Sequence, residues 1–270
     1  VTASATDYAW VRGSLLDSHL GYGVGLVKEI CREEVLGRLQ AHHQGTCTGL
    51  TALYRRNADV QERLNYEYGD FQLVGTAAVT GTDGEWTLMV EFNVAVGFNH
   101  RLMARVSTGT QAVTHHLDPV GKGGFNWWQD GRLLTSFEWP HDRRGEDPDA
   151  LNEVIDRVGV GSAEGHKVEE YFALAEEVTG VRLTSGLLER AVFSAGIVAV
   201  TEHACEQGWS WTGREPTPDE LAARDSDIRA WAKSREIKLI DRGRNPVTIV
   251  EVYDASHPAR PRERGNPWEG

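Results

Sequence analysis

The sequence predicts an α+β protein: a large domain with a central antiparallel sheet and flanking helices, followed by a small two-helix C-terminal module. Three observations predict it. Residues 71–92 and 125–138 carry apolar, strand-forming residues on either side of Gly-containing turns. Apolar residues recur at helical spacing before and after that middle region. The charge balance also reverses near the C-terminus, which suggests two modules with different partners. A chain of 270 residues can bury a sizeable core without disulfides or metals. With 40% hydrophobic and 25% charged residues, it falls outside disordered and collagen-like compositions.

Asp7 to Leu16 reads as a short helix and Glu33 to Leu39 as a second, with apolar residues at helical spacing. Phe71 to Val79 and Glu85 to Phe92, joined by Gly81-Thr82-Asp83-Gly84, read as a hairpin. Gln111 to Leu117 is a further strand, and Phe125 to Glu138 a second hairpin around Asp130-Gly131. Asp147-Pro148-Asp149 then opens a helix that carries Leu151, Val154, Ile155 and Val158 on one face. Further helices are expected over Val168–Val178, from Thr184 to Val192, and over 200–207. Residues 1–206 thus read as layers of helix, sheet and helix. Residues 207–218 mix Gly and Pro and read as a linker, 219–257 as a second domain, and 258–270 as a disordered tail.

Cys31, Cys47 and Cys205 are odd in number and irregularly spaced, which suits a reducing cytoplasm. No stretch approaches the ~18 apolar residues that cross a bilayer, and the first residues lack the pattern of a signal peptide. A cytoplasmic location and no membrane partner are expected. His42, His43 and Cys47 lack the second half of a metal site and read as a surface loop. His115 and His116 are adjacent on a strand and point to opposite faces. Gly21-Tyr22-Gly23-Val24-Gly25 lacks the spacing of a dinucleotide fingerprint. Glu91 and Glu138, at strand ends, are the candidate acid/base pair, although carboxylates there are usually solvated. No constellation assembles, so the expectation is a protein that is not an enzyme, with no catalytic residues, no metal and no cofactor. Trp86, Trp127, Trp128 and Trp139 cluster in the predicted sheet, where an outward indole would suit a protein partner.

The chain carries 28 Lys+Arg against 40 Asp+Glu, a net charge of −12. Residues 217–270 hold ten of each sign, so the whole excess of acid lies in 1–216. Within 228–250, six cations (Arg229, Lys233, Arg235, Lys238, Arg242 and Arg244) face only Glu236 and Asp241. Ile228, Trp231 and Ala232 form one apolar stripe on a short helix, and Asn245-Pro246 opens a second that bears Ile249, Val250 and Tyr253. Between them lies Arg242-Gly243-Arg244. The minor groove of B-DNA is ~6 Å wide and admits a thin backbone flanked by two long cations, with a central Gly that has no Cβ to strike the floor. Arginine suits it because its guanidinium is weakly hydrated and always charged. Guanine's exocyclic amine obstructs deep insertion, so the expected preference is AT-rich DNA, with Arg229, Lys233, Arg235 and Lys238 on flanking phosphates.

Two resemblances bear on this division. Tyr8-Ala9-Trp10, Glu85 to Glu91, Leu133 to Glu138, Asp147 to Leu151 and Phe172 to Thr184 resemble local patterns of an actinobacterial domain family of unknown function, over most of 7–200. That resemblance implies a folded unit and imports no activity. Ile228-Arg229-x-Trp231-Ala232, then Asp241-Arg242-Gly243-Arg244-x-Pro246-x-x-Ile249-Val250-x-x-Tyr253-x-Ala255, closely resembles the C-terminal DNA-binding domain of the actinobacterial H-NS-like, Lsr-type nucleoid silencers. It implies two helices joined by a long loop whose Arg-Gly-Arg enters the minor groove of AT-rich DNA, here Arg242, Gly243 and Arg244. The chain departs from that family at Ser234-Arg235-Glu236-Ile237, where members usually have a Gly in the turn, and in having a large acidic unit in place of an oligomerisation domain. The expected partners are AT-rich double-stranded DNA, a protein partner for the acidic domain, and a second copy of the chain. The expected role is nucleoid-associated, in silencing or defence; the rival is an interaction or immunity-type module whose acidic, Trp-rich domain binds a protein.

Overall fold

Two tight turns set the register of the middle of the chain. Strands β3 (Phe71–Gly81) and β4 (Gly84–Glu91) pair Gly81 with Gly84 across a two-residue turn. Strands β6 (Gly123–Gln129) and β7 (Arg132–Phe137) turn at Asp130 and Gly131, with φ of 48° and 77°. Positive φ at both central residues twists a hairpin in the sense its strands prefer, which is why Asp-Gly stands there. The structure is a computed structural model that describes residues 2–17, 21–64, 70–161, 167–201, 218–235 and 237.

Among the described residues these hairpins belong to an eight-stranded antiparallel sheet, with β1 (Tyr22–Lys28), β2 (His42–Thr48), β5 (Gln111–Leu117) and β8 (Val192–Ala199). The strand order is β2-β8-β3-β4-β1-β5-β6-β7. Helices cover both faces. On one face, α1 (Arg32–Arg38) and α3 (His100–Val106) place Val35, Leu39, Leu102, Met103 and Val106 on Val27, Val74, Met89, Trp128 and Val198. The other face carries α5 (Lys167–Thr179), whose Phe172 lies 4.5 Å from the His115 ring and 5.8 Å from that of Tyr22. A 3-10 helix, Ala5–Val11, adds Tyr8 at 5.4 Å from Phe172. It is tied to α5 by the Tyr8 hydroxyl, which donates to Glu176 Oε2 at 2.8 Å, and by the ion pair of Arg12 with Glu169. Burial of each large apolar side chain stabilises by about 1.5–3 kcal/mol, so mostly aliphatic side chains hold one helical layer to the sheet and aromatic rings the other.

The large unit therefore has the expected architecture, with local differences. Residues 7–16 form 3-10 turns (Ala5–Val11 and Leu15–Asp17), not an α-helix. His42–Thr48 is not a loop: it is the edge strand β2, paired with β8, and Arg56 on α2 (Leu50–Leu64) donates to the carbonyl of Thr46. Gly23 and Gly25 lie inside β1, where β4 and β5 satisfy the backbone on both sides. The helix expected from Asp147 begins later, as α4 (Asn152–Val158). The apolar run after Thr184 divides into α6 (Ser185–Arg190), with Thr184 Oγ1 accepting from the Leu187 N–H, and strand β8. The expected helix over 200–207 lies, from 202 onward, outside the described residues.

Gly180 ends α5 with φ of 67°, and a Cβ there would stand 2.0 Å from Thr82 Oγ1 and 2.7 Å from the Thr82 amide nitrogen. Gly180→Ala is expected to destabilise the large unit by about 2–4 kcal/mol, combining left-handed strain with overpacking. A urea titration measures the loss.

By contact clustering, residues 1–62 and 69–205 form one unit, and 63–68 with 206–270 a second. The second contains α7 (Pro218–Ser234), which starts ten residues before the apolar stripe that predicted it. Proline suits the first helical turn. The second expected helix, from Asn245, the greater part of the linker and the tail 258–270 lie outside the described residues. No described helix is long and apolar enough to cross a membrane.

Candidate functional site

Two of the candidate cations, Arg229 and Lys233, lie in the last two turns of α7, and Arg224 lies near its middle. Asp227 precedes Arg229 and Lys233, and Arg235 lies just beyond the last turn. Lys233, in the last turn, complements the negative end of the helix dipole. Ile228 and Ala232 are fully buried and Trp231 half-buried, so the expected apolar stripe is used for packing. Arg229 and Lys233 are four residues apart and rotated about 100° from that stripe; Arg229 is half-buried and Lys233 exposed. The exposed Arg235 places its guanidinium carbon 5.4 Å from the centre of the Trp231 ring. Lys238, Arg242, Gly243 and Arg244 lie outside the described residues, so three of the seven candidate DNA contacts are placed and four are not.

In the large unit one buried acid stands apart. Glu91, at the end of β4, is 4% exposed. Both carboxyl oxygens accept the Val96 N–H at 3.0 Å, and Oε1 also accepts the Gly97 N–H at 2.9 Å. The carboxyl group therefore pins the segment 93–97 back onto the sheet. Gly97 is held a second time: its carbonyl accepts from Thr114 Oγ1 at 2.8 Å, and Asn126 Nδ2 donates to that hydroxyl at 3.2 Å. Below lies a void of about 10 Å³ lined by Gly23, Gly25, Met89, Glu91, Val96 and Gly97, room for at most one water. A Cβ on Gly23 would stand 2.5 Å from Glu91 Oε1, so the glycine makes space for this acid. Burial pushes the Glu91 carboxyl up to about 7, against the lowering effect of the Gly97, Val96 and Ala95 amides.

Glu91 and Glu138 do not form an acid/base pair. Glu138 follows β7, and β1, β5 and β6 lie between it and β4, a separation of about 19 Å at ~4.8 Å per strand. The paired carboxyl groups of a glycosidase, for comparison, stand less than about 10 Å apart. His115 and His116 do point to opposite faces. His116 shares its face with Glu91 across Gly23 and meets the Phe98 ring at 4.8 Å. His115 is buried among Phe125, Tyr171 and Phe172, and its Nδ1 shares a hydrogen bond of 3.1 Å with the Tyr22 hydroxyl. Burial pushes the His115 imidazole down to about 3, so it is neutral at physiological pH. Among the described residues no group of three or more His, Cys, Asp or Glu is placed to hold a metal ion.

The tryptophans divide by depth. Trp86 and Trp128 are fully buried, Trp127 is half-buried and Trp139 exposed. The expected cluster is thus largely core, with one indole outside it. The burial of Glu91 was missed in the sequence: Gly23 makes room for it only because β1 pairs with β4, a pairing no local pattern shows.

No curated protein and no solved structure matches the chain. Residues 1–203 match the profile of a family described as a family of unknown function, DUF6461, and on that match, which spans most of its length, the chain belongs to that family.

Proposed function

We propose that the chain is a cytoplasmic, non-enzymatic protein that binds AT-rich double-stranded DNA by inserting Arg242-Gly243-Arg244 into the minor groove, in a nucleoid-associated silencing or defence role. The observation that carries this reading is the pattern over 228–255: an apolar stripe, six cations against two acids, and Arg-Gly-Arg followed by a second helix signal. The packing of α7 supports it, since Ile228 and Ala232 are buried while Lys233 and Arg235 remain exposed. The large unit is repelled by phosphate, because the acidic excess belongs to it, so DNA is confined to the basic segment. The reading assigns the large unit no catalytic step and calls for no cofactor.

Full-length protein should bind an AT-rich duplex at least tenfold more tightly than a GC-rich duplex of equal length. Its log K should fall with log salt by about 0.9 for each phosphate engaged. Equal affinity for the two duplexes, measured by fluorescence anisotropy, overturns the reading.

A further inference from the structure

The contact between Trp231 and Arg235 deepens the DNA-binding reading and rests on it. We propose that the Trp231 indole is a shelf that holds the Arg235 guanidinium to neutralise one DNA backbone phosphate beside the groove insertion, so that Trp231 is a positioning residue and Arg235 a phosphate contact. The geometry of the helix end fixes both partners. Ser234 Oγ donates to the Trp231 carbonyl at 2.7 Å, and the N–H groups of Arg235 and Ile237 both donate to the Ala232 carbonyl, at 3.1 and 3.0 Å. These bonds close the last turn of α7 around Trp231 and Arg235. Buried Ile228 and Ala232, three residues before Trp231 and one after it, hold the helix face from which the indole projects.

The Arg235 guanidinium carbon lies over the indole, 5.4 Å from its centre, and a cation–π contact of this kind leaves the N–H donors unspent. The donors of a guanidinium lie in its plane, and that edge matches a phosphate with two parallel hydrogen bonds. The contact with the ring therefore restrains a long, flexible side chain without consuming the donors that recognise the ligand. A lysine carries the same charge but has neither the planar face nor the fork. Phosphate is the ligand this arrangement fits, rather than a base edge, because Arg235 sits at the end of α7 and seven residues before the tripeptide that enters the groove.

The test uses full-length protein with Arg235→Gln, Arg235→Lys, Trp231→Leu, Trp231→Phe and the double variant Trp231→Leu/Arg235→Gln. Binding to one AT-rich duplex is followed between 50 and 200 mM salt. Arg235→Gln should reduce the salt slope by about 0.9, so that its deficit against wild type shrinks about 3.5-fold across that range. Arg235→Lys should keep the slope and lose about 2- to 5-fold in affinity, the loss of an exposed cation–π contact. Trp231→Leu should lose as much as Arg235→Lys, Trp231→Phe should lose less, and Arg235→Gln should cost less in the Trp231→Leu background than in wild type. An unchanged slope in Arg235→Gln removes the phosphate contact, and additive losses in the double variant remove the shelf. If Trp231→Leu fails to fold by circular dichroism, full affinity in Arg235→Lys removes the shelf instead. These failures leave the groove reading standing when wild type still prefers AT-rich DNA; a wild type without that preference fails the reading itself.

Discussion

Replacement of both Arg242 and Arg244 by Ala is expected to lower affinity for AT-rich duplex on the order of 30-fold at 150 mM salt and to bring the preference over GC-rich duplex close to one. The magnitude follows from counterion release: two lost cations remove about 1.8 from the salt slope, which at that salt corresponds to roughly this factor. Loss of discrimination follows separately. A narrow AT-rich groove concentrates negative potential, so on the proposed reading the two arginines would also sense composition. Cations on phosphates, such as Lys233, bind every sequence alike, and Lys233→Ala should weaken both duplexes by one factor. Gly243→Val should reproduce the loss of preference while both charges remain, because its branched side chain meets the groove floor. A double arginine variant that retains the preference for AT-rich duplex places recognition elsewhere.

Strands with a clear alternation were legible in the sequence, and those whose identity depends on distant partners were not. Gln111–Leu117 is a strand with the expected bounds, and Asp130-Gly131 forms the expected turn, because both depend on local chemistry. β1 was not legible: glycines at positions 23 and 25 carry no side chains from which to read a period, and only β4 and β5 on either side make the segment a strand. β8 follows α6 with one residue between them, so the helical spacing of Leu187, Leu188 and Ala191 runs on to Val192 and masks the change there. The edge strand β2 is polar, with His42, His43, Gln44 and Thr46, and resembles a loop until β8 pairs with it. Glu91 follows the same logic. A glutamate that ends an apolar strand is normally solvated, and its burial arises from the return of Val96 and Gly97 across the sheet, which no local pattern encodes.

Glu91 and His115 are expected to impose opposite pH dependences on folding, and Glu91→Gln should expose one of them. The folded-state Glu91 carboxyl lies near 7 against an ordinary 4.5, so the native state holds a proton that the unfolded state releases in that window. Stability from this group is full below about pH 4.5 and falls by about 3 kcal/mol as pH rises to about 7. His115 is held near 3 against an ordinary 6.5, so between those values the unfolded state binds the extra proton and stability rises with pH. From pH 5 to 6.5 the two slopes are each about 1.4 kcal/mol per pH unit with opposite sign, and together they leave wild type nearly flat. The carboxylates held low by surface partners, among them Asp7, Asp83 and Asp149, are ionised in both states across this window and add no slope. Glutamine keeps the shape of Glu91, and its carbonyl can take the Oε1 position that accepts the Val96 and Gly97 amides. It carries no charge to bury. Glu91→Gln should therefore gain stability steadily from pH 5 to 6.5 and exceed wild type by a few kcal/mol at pH 8. His115→Asn, which keeps an acceptor near Nδ1 for the Tyr22 hydroxyl, should lose stability over the same window. Urea titrations at half-unit pH steps measure all three curves. Parallel curves for wild type and Glu91→Gln would mean that the carboxyl is solvated, and that segment 93–97 is not closed over it by these bonds.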